Sequence, residues 1–490
     1  MRRMNFVLFL CLLLSGMLLN VGAAEQIAED ISSTAVISGG GWESRDFLTD
    51  GVDIQGFYTE STLELESGQG IGALSLVFDQ PCSYRIRNPQ TGDILEGGGN
   101  GFLHCFSDVA AAFGAAPQKL TLEFPEGAIL CELRVYSAGE IPASVQQWGE
   151  PLEGCADLVL FSTHGDDEQL YFAGLLPYYA GERDLAVQVV YMTGHQDNAG
   201  SVRMHEMLNG LWAVGVRAYP VFGPFPDFRL PHREHTYREY ERLGYSRMEL
   251  LGYVVENLRR FRPQVAVGHD LNGEYGHGMH KVYADLLTQA VQISADAEMF
   301  PESAKHYGVW DVPKTYLHLY QENAIVMDWD QPLEDFGGMT AFQVCQNLGF
   351  PCHATQQYDQ YVYWLYGPNR SFTKATDIVY YSPCLYGLYR STVGEDVQGN
   401  DLMENTTSYA EQTRQQEAQA ERLRGMVQLE RSKQATESRL LRPPDPTEPE
   451  ISEGTTQKSR GFPAIAAWFA LLSGAAAAVL LFVLKKSEKN

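Results

Sequence analysis

Asp157-Leu-Val-Leu-Phe-Ser-Thr-His-Gly-Asp-Asp-Glu168 is the stretch on which the reading of this chain turns. Its first half is a near-continuous apolar run, the mark of a strand buried on both faces. Directly at the end of that run stands the polar segment Ser162-Thr-His-Gly-Asp-Asp-Glu168. Two further runs of the same kind follow, Leu185-Ala-Val-Gln-Val-Val-Tyr191 and Gln264-Val-Ala-Val-Gly268. Helix-like segments lie around them at 168–180, 201–214, 247–261 and 281–295, and Ser201 is placed to cap the second of these. Strand and helix in alternation predict an α/β fold, a three-layer α/β/α Rossmann-like domain with a parallel sheet. Ligands of such sheets collect at the carboxyl ends of the strands.

Residues 25–150 have a different rhythm. Ala73-Leu-Ser-Leu-Val-Phe78, Lys119-Leu-Thr-Leu-Glu-Phe124 and Cys131-Glu-Leu-Arg-Val-Tyr136 alternate apolar and polar residues, as half-buried strands do. Triple glycines at 39–41 and 97–99 fall between such runs and lack the helix, Lys or Ser of a phosphate cradle, so they read as turns. An all-β sandwich accessory domain is expected here. Leu48-Thr-Asp-Gly51 and Leu133-Arg-Val-Tyr-Ser-Ala-Gly139 resemble segments of discoidin-like, galactose-binding-like domains, which implies a carbohydrate-binding or an architectural accessory. The α/β domain is expected over 151–400, a polar helical stem over 401–441 and a Pro-rich stalk over 442–460.

The termini set the expected compartment. Residues 1–24 open with Arg2 and Arg3, continue apolar and end in small residues, the pattern of a secretory signal. Residues 461–484 carry no charge, and a spanning helix needs about 20 apolar residues. Lys485, Lys486 and Lys489 in the tail, 485–490, predict a single-pass membrane protein with its body outside the cell. The formal net charge of −26 argues against a nucleic-acid partner, which needs clustered Lys and Arg. Of 8 cysteines, Cys11 lies in the signal and the rest show no CxxC spacing, so no disulfide pattern is predicted.

The chemistry gathers at two strand ends. After 264–268 comes His269-Asp-Leu-Asn-Gly-Glu-Tyr-Gly-His-Gly-Met-His280, which should emerge at the same sheet edge as 162–168. Two imidazoles and a carboxylate meeting there make a three-ligand site for zinc with the fourth position open to water. Adjacent aspartates point apart and do not readily hold one ion together, so one ligand and one free base is the natural division.

These segments resemble the PIG-L (LmbE-like) family of zinc-dependent N-deacetylases. His164-Gly-Asp-Asp-Glu168 is similar to the family's His-Pro-Asp-Asp-Glu, and Gly273-Glu-Tyr-Gly-His-Gly-Met-His280 to its Tyr-Gly-His-x-Asp-His. Arg203-Met-His-Glu206 is similar to its Arg-x-x-Glu helix, and the likeness covers about 157–399. It implies His164, Asp167 and His280 as ligands of Zn²⁺ (Fe²⁺ or another divalent ion being the alternatives), Asp166 as general base, Arg203 as a substrate contact, and Tyr275 and His277 beside the reacting carbonyl. Two positions depart from the pattern. Gly165 replaces Pro, which should loosen the loop, and Met279 replaces Asp, which leaves carboxylate support for His277 to come from elsewhere.

Zinc lowers the pKa of a bound water to about 7, and a hydrogen-bond donor at the oxyanion is worth about 10²–10³ in rate. The expected function is therefore hydrolysis of the N-acetyl group of an N-acetylglucosamine-type sugar or glycoconjugate at the cell surface. Two other readings compete. One is a membrane-anchored glycan-binding protein with an inactive deacetylase fold. The other is a non-haem Fe(II) triad, disfavoured because these loops follow parallel strands. His195, His205, His232 and His235 read as surface or core histidines, and Trp310, Trp329, Trp364 and Tyr358 to Tyr366 as packing. Asn369-Arg-Ser371 and Asn405-Thr-Thr407 are acceptor sequons for glycosylation.

Overall fold

Period-two alternation builds the first part of the chain. Its strands among the described residues are β1 (Val36–Gly39), β2 (Phe57–Tyr58), β3 (Thr62–Glu66), β4 (Ala73–Phe78), β5 (Tyr84–Arg87), β6 (Ile94–Gly97), β7 (His104–Asp108), β8 (Lys119–Glu123) and β9 (Ile129–Tyr136). They form two antiparallel sheets, ordered β1-β3-β8-β5-β6 and β2-β9-β4-β7. Leu63 and Leu65 of β3 face Leu122 and Leu120 of β8 across the register. All four are buried, while Thr62, Glu64 and Glu66 stay exposed, as a half-buried strand requires.

The three apolar runs become β10 (Leu158–Ser162), β11 (Val187–Tyr191) and β12 (Val265–Gly268), followed by β13 (Lys314–His318), β14 (Ala324–Val326) and β15 (Leu385–Ser391). The sheet order is β11-β10-β12-β13-β15-β14. The first four strands are parallel, but β15 runs antiparallel to β13 and β14. The sheet is thus mixed, not wholly parallel. The chain leaves β10 for β11 on one side and later returns to β12 on the other, so β10 and β12 flank a topological switch point, where α/β sheets bind ligands.

The computed structural model describes residues 26–440 apart from 40–44, 54–56, 59–61, 196–200 and 395–398. The expected signal, stalk, membrane helix and tail lie outside these residues. Among the described residues no helix is long and apolar enough to cross a membrane. The last described element is the Tyr409–Leu440 helix.

Two helical expectations change in detail. The segment 168–180 holds only one α-turn, Asp167–Leu170, and then a wide π-turn, Pro177–Glu182. Pro177 has no N–H for a regular ladder. Gly174, at φ +106°, lies where any side chain would run into the Trp329 ring. The Val202–Ala213 helix forms as read, but Ser201 does not cap it, because its Oγ donates to Asp79 of the sandwich instead. The Arg247–Phe261 helix opens with a reciprocal capping box between Ser246 and Glu249.

Successive side chains of β10 and β12 go to opposite faces. Val159, Phe161 and Ala266 join the core under the Arg247–Phe261 and Gly278–Ile293 helices. Leu158, Leu160, Val265 and Val267 belong to a core that continues without a break into the sandwich interior. Sandwich and α/β layers therefore share apolar surface.

Candidate metal and catalytic site

The two loops emerge side by side, because β10 and β12 are parallel neighbours with Leu160 level with Val267. This brings three atoms together: Nδ1 of His164 lies 3.1 Å from Oδ2 of Asp167 and 3.1 Å from Nε2 of His280. Nε2 of His280 is 3.3 Å from the same Asp167 oxygen. Ligands at about 2.0–2.2 Å in tetrahedral array are roughly 3.3–3.5 Å apart, so the triangle has the size of one face of a metal site.

Outer hydrogen bonds decide which ring nitrogens look inward. Nδ1 of His280 faces Oε2 of Glu274 at 2.7 Å, and Nε2 of His164 lies 3.2 Å from Oδ1 of Asp227. Each ring gives its outer proton to a carboxylate, which leaves lone pairs on His164 Nδ1 and His280 Nε2 pointing at the Asp167 oxygen. Three acceptors converging in a buried place repel one another unless a cation sits among them. The donor set of two imidazoles and a carboxylate therefore fits a divalent metal. The same crowding of carboxylates favours a second proton on each ring. Burial opposes charge on His164, but Asp227 and Asp167 overcome it and push this imidazole up to about 10. His280 is likewise pushed up to about 9 by Asp167 and Glu274 against its burial.

His277 and His269 border the triangle and complete two overlapping groups, His164–His277–His280 and Asp167–His269–His280, with ligating atoms within 4.8 Å. His269 is already committed, since its Nε2 accepts from Thr163 N at 2.9 Å and its Nδ1 faces Glu274 at 2.9 Å. Glu274 is fully buried, and His269, His280, His318 and the Asp270 N–H converge on it. Burial opposes its charge, but His269 and the bonds from three imidazoles hold its carboxyl well below the usual range.

Asp166 stands outside the triangle. It adopts φ 152°, a conformation rare for an L side chain. Burial raises its pKa to about 7, with Asp167 adding and Arg203, 3.8 Å away, opposing. A carboxyl poised near neutrality is suited to take a proton. Tyr275, at φ 45°, and His277 line a cavity of about 280 Å³ together with His164, Asp166, Arg203 and Tyr361. Burial and the nearby His164 and His280 push His277 down to about 2, so it is a neutral imidazole, with Nδ1 buried and unpartnered. Desolvation holds the Tyr275 hydroxyl protonated, with Tyr361 nearby.

The two departures have visible reasons. Gly165 is not loose: its N–H donates to His195 Nε2 at 3.3 Å and its carbonyl accepts from Arg203. Proline could not make the first bond, and a Cβ here would collide with Met207. Met279 points into the helix core, where its sulfur accepts from Phe228 N at 3.3 Å, and among the described residues no carboxylate hydrogen-bonds His277 in place of the missing Asp.

Sequence reasoning missed Asp227, Glu274, His269, His318 and the site position of His195. His195, read as surface or core, is buried against the loop with Nδ1 3.4 Å from Asp227. Asp227 has no motif and reaches the site only through folding, whereas Glu274 sat inside a quoted motif. His232 and His235 are exposed on the Arg233–Arg242 helix and its cap, Trp329 is core, and Trp364 stacks near Tyr275 at 5.0 Å.

A Rossmann-like α/β domain with a buried His/Asp cluster at its switch point defines the class. Residues 159–291 are a PIG-L family domain, matching the model described as GlcNAc-PI de-N-acetylase. The chain is 26% identical over 215 residues to a 1D-myo-inositol 2-acetamido-2-deoxy-alpha-D-glucopyranoside deacetylase 1 of Catenulispora acidiphila, covering 39% of this chain and 65% of that one. It is 30% identical over 182 residues to the corresponding deacetylase of Nocardia farcinica, covering 32% and 56%. The chain thus spans less than two thirds of the length of these relatives. Among solved structures, the N,N'-diacetylchitobiose deacetylase of Pyrococcus horikoshii superposes with a TM-score of 0.35 at 16% identity, over 48% of this chain and 84% of that one.

Proposed function

We propose that this protein hydrolyses the acetamido group of an N-acetylglucosamine-type sugar or glycoconjugate, releasing acetate and a free amine. The observation that carries the reading is the triangle of His164, Asp167 and His280 with Asp166 poised beside it. The named activity of the relatives supports it.

His164, Asp167 and His280 would hold the metal, zinc by its donor set. When bound it supplies an activated water and polarises the amide carbonyl. Asp166 takes a proton from the attacking water, and its near-neutral pKa lets it return that proton to the leaving amine. Tyr275, kept protonated by burial, donates to the developing oxyanion. His277, neutral and without a carboxylate behind it, positions the acetamido group as a hydrogen-bonding partner and not as an imidazolium acid. Arg203 braces Asp166 and reaches the sugar side of the cavity, which it lines with Arg229 and Gln356. Glu274 and Asp227 orient the ligating rings.

The test is turnover of an N-acetylglucosamine conjugate by purified protein with and without chelator. Binding of the conjugate without acetate release would favour the inactive glycan receptor. Display outside the cell, with the chain held by 461–484, is part of the same reading and rests on the charged start, the uncharged segment and the lysines after it. Protease added to intact cells should then release the catalytic region by cutting within 442–460. Full protection of the chain would refute that orientation.

A further inference from the structure

The Val202–Ala213 helix has two working faces. Arg203 and Glu206 point to the site: Arg203 donates to the Gly165 carbonyl, and Glu206 accepts from Thr355 N and Oγ1 at 2.6 Å each. Ser201, His205, Asn209 and Trp212, one turn apart on the opposite face, are hydrogen-bonded to the N-terminal part of the chain. Ser201 donates to Asp79, and Trp212 donates to the Ala143 carbonyl at 3.0 Å.

Between them runs a chain of bonds with one direction. Asn209 Nδ2 donates to Asp53 Oδ2 at 2.8 Å, and Gln146 Nε2 donates to Asn209 Oδ1 at 2.6 Å. The Gln146 oxygen therefore accepts, from Trp148 Nε1 at 2.8 Å and from His104 Nδ1 at 2.7 Å. That leaves His104 Nε2 as an acceptor, so His205 Nδ1 donates to it across 2.9 Å. Both imidazoles are neutral: burial pushes His104 down, and burial with His104 beside it pushes His205 down to about 2. No other tautomer of either ring satisfies every joint. The chain starts on the helix at His205, passes through β7 and the 140s segment, and returns to the helix at Asn209 before ending on a carboxylate. Its two anchor points, four residues apart on one face, fix the rotation of the helix about its own axis.

We propose that the β-sandwich is a working part of the active site. Through His104, Gln146 and Asp53 it sets the helix rotation that places Arg203 against the Gly165 carbonyl and the Asp166 carboxylate. His104 is a positioning residue that acts through Arg203. The inference rests on the proposed deacetylase reading only for its assay.

The test uses the full-length protein and a double-mutant cycle. His104→Phe keeps an aromatic ring at the position and removes both nitrogens. In the presence of Arg203 it should lower kcat/KM by about tenfold, and in an Arg203→Ala background by less than about twofold, the non-additivity of coupled residues. His104→Gln, which retains a donor and an acceptor, should recover part of the loss. Metal content should be unchanged throughout, since no ligand is touched. Should His104→Phe not fold, Asn209→Ala cuts two joints of the chain at a half-buried position and enters the same cycle. Equal losses in both backgrounds, or variants as active as the parent, overturn the proposal. An inactive parent protein would instead count against the deacetylase reading itself.

Discussion

Two buried histidine networks lie on either side of one helix, and they are built to opposite ends. At the sandwich junction, donors and acceptors alternate from His205 through His104 to Asp53, and every joint is an ordinary hydrogen bond. At the sheet edge, Glu274 and Asp227 draw the outer nitrogens of His280 and His164, so that lone pairs crowd against the Asp167 oxygen. The first network runs unbroken from imidazole to carboxylate, with only the His205 Nε2 left without a partner among the described residues. The second has the donor set and the spacing of a divalent-cation site. The same residue type yields a strut in one place and a candidate ligand set in the other, and the difference lies in whether a ring nitrogen meets a carboxylate.

The sharpest way to break this contrast is Asp167→Asn. Replacing the carboxylate the triangle is built on should strip metal from the purified protein and abolish turnover, read by metal analysis and acetate release. His104→Phe should leave metal content at the parental level. Asp166→Asn should retain metal while turnover falls by about 10² or more, the range for a positioned general base. Loss of metal from Asp166→Asn and retention in Asp167→Asn would reverse their roles. Glu274→Gln keeps the shape of the acceptor but removes its charge. It should weaken metal affinity by about 10–100-fold, measured by competition with a chelator.

A pH profile sharpens the assignment without mutating the ligands. The Asp166 carboxyl, raised to about 7, takes a proton only in its ionised form, so kcat/KM should fall as pH drops through about 7 and level off above it. That limb should vanish in Asp166→Asn. A profile flat from pH 5 to 8 in the parent would remove Asp166 from the proton's path. The smallest effect is expected of Gly165→Pro. It removes the bond to His195 and crowds Met207, and it should cost about 1–3 kcal/mol, the usual range for overpacking, seen as a lowered Tm.

Much of the frame was legible in one dimension. The apolar runs at 157–161 and 264–268 became neighbouring parallel strands because residues buried on both faces have few other solutions. The loops after them carried His164, Asp166, Asp167, Tyr275, His277 and His280 to one cavity edge. The antiparallel strand β15 was not legible, since Leu385-Tyr-Gly-Leu-Tyr-Arg-Ser391 is neither a continuous apolar run nor a period-two alternation. Asp227 and His195 were invisible for a different reason. Each lies in a stretch without a motif, and their roles come from a carboxylate arriving beside His164 from a segment 63 residues further on.

What the sequence by itself determined are the element types, the edge at which the loops emerge and the side chains that converge there, because periodicity and strand-end motifs are local in the chain. Only the tertiary structure decided the tautomers, the near-neutral pKa of Asp166 and the joining of the sandwich to the Arg203 helix. Those depend on burial and on which groups from distant segments fall within about 3 Å of one another, the range of a hydrogen bond, and no local pattern encodes that distance.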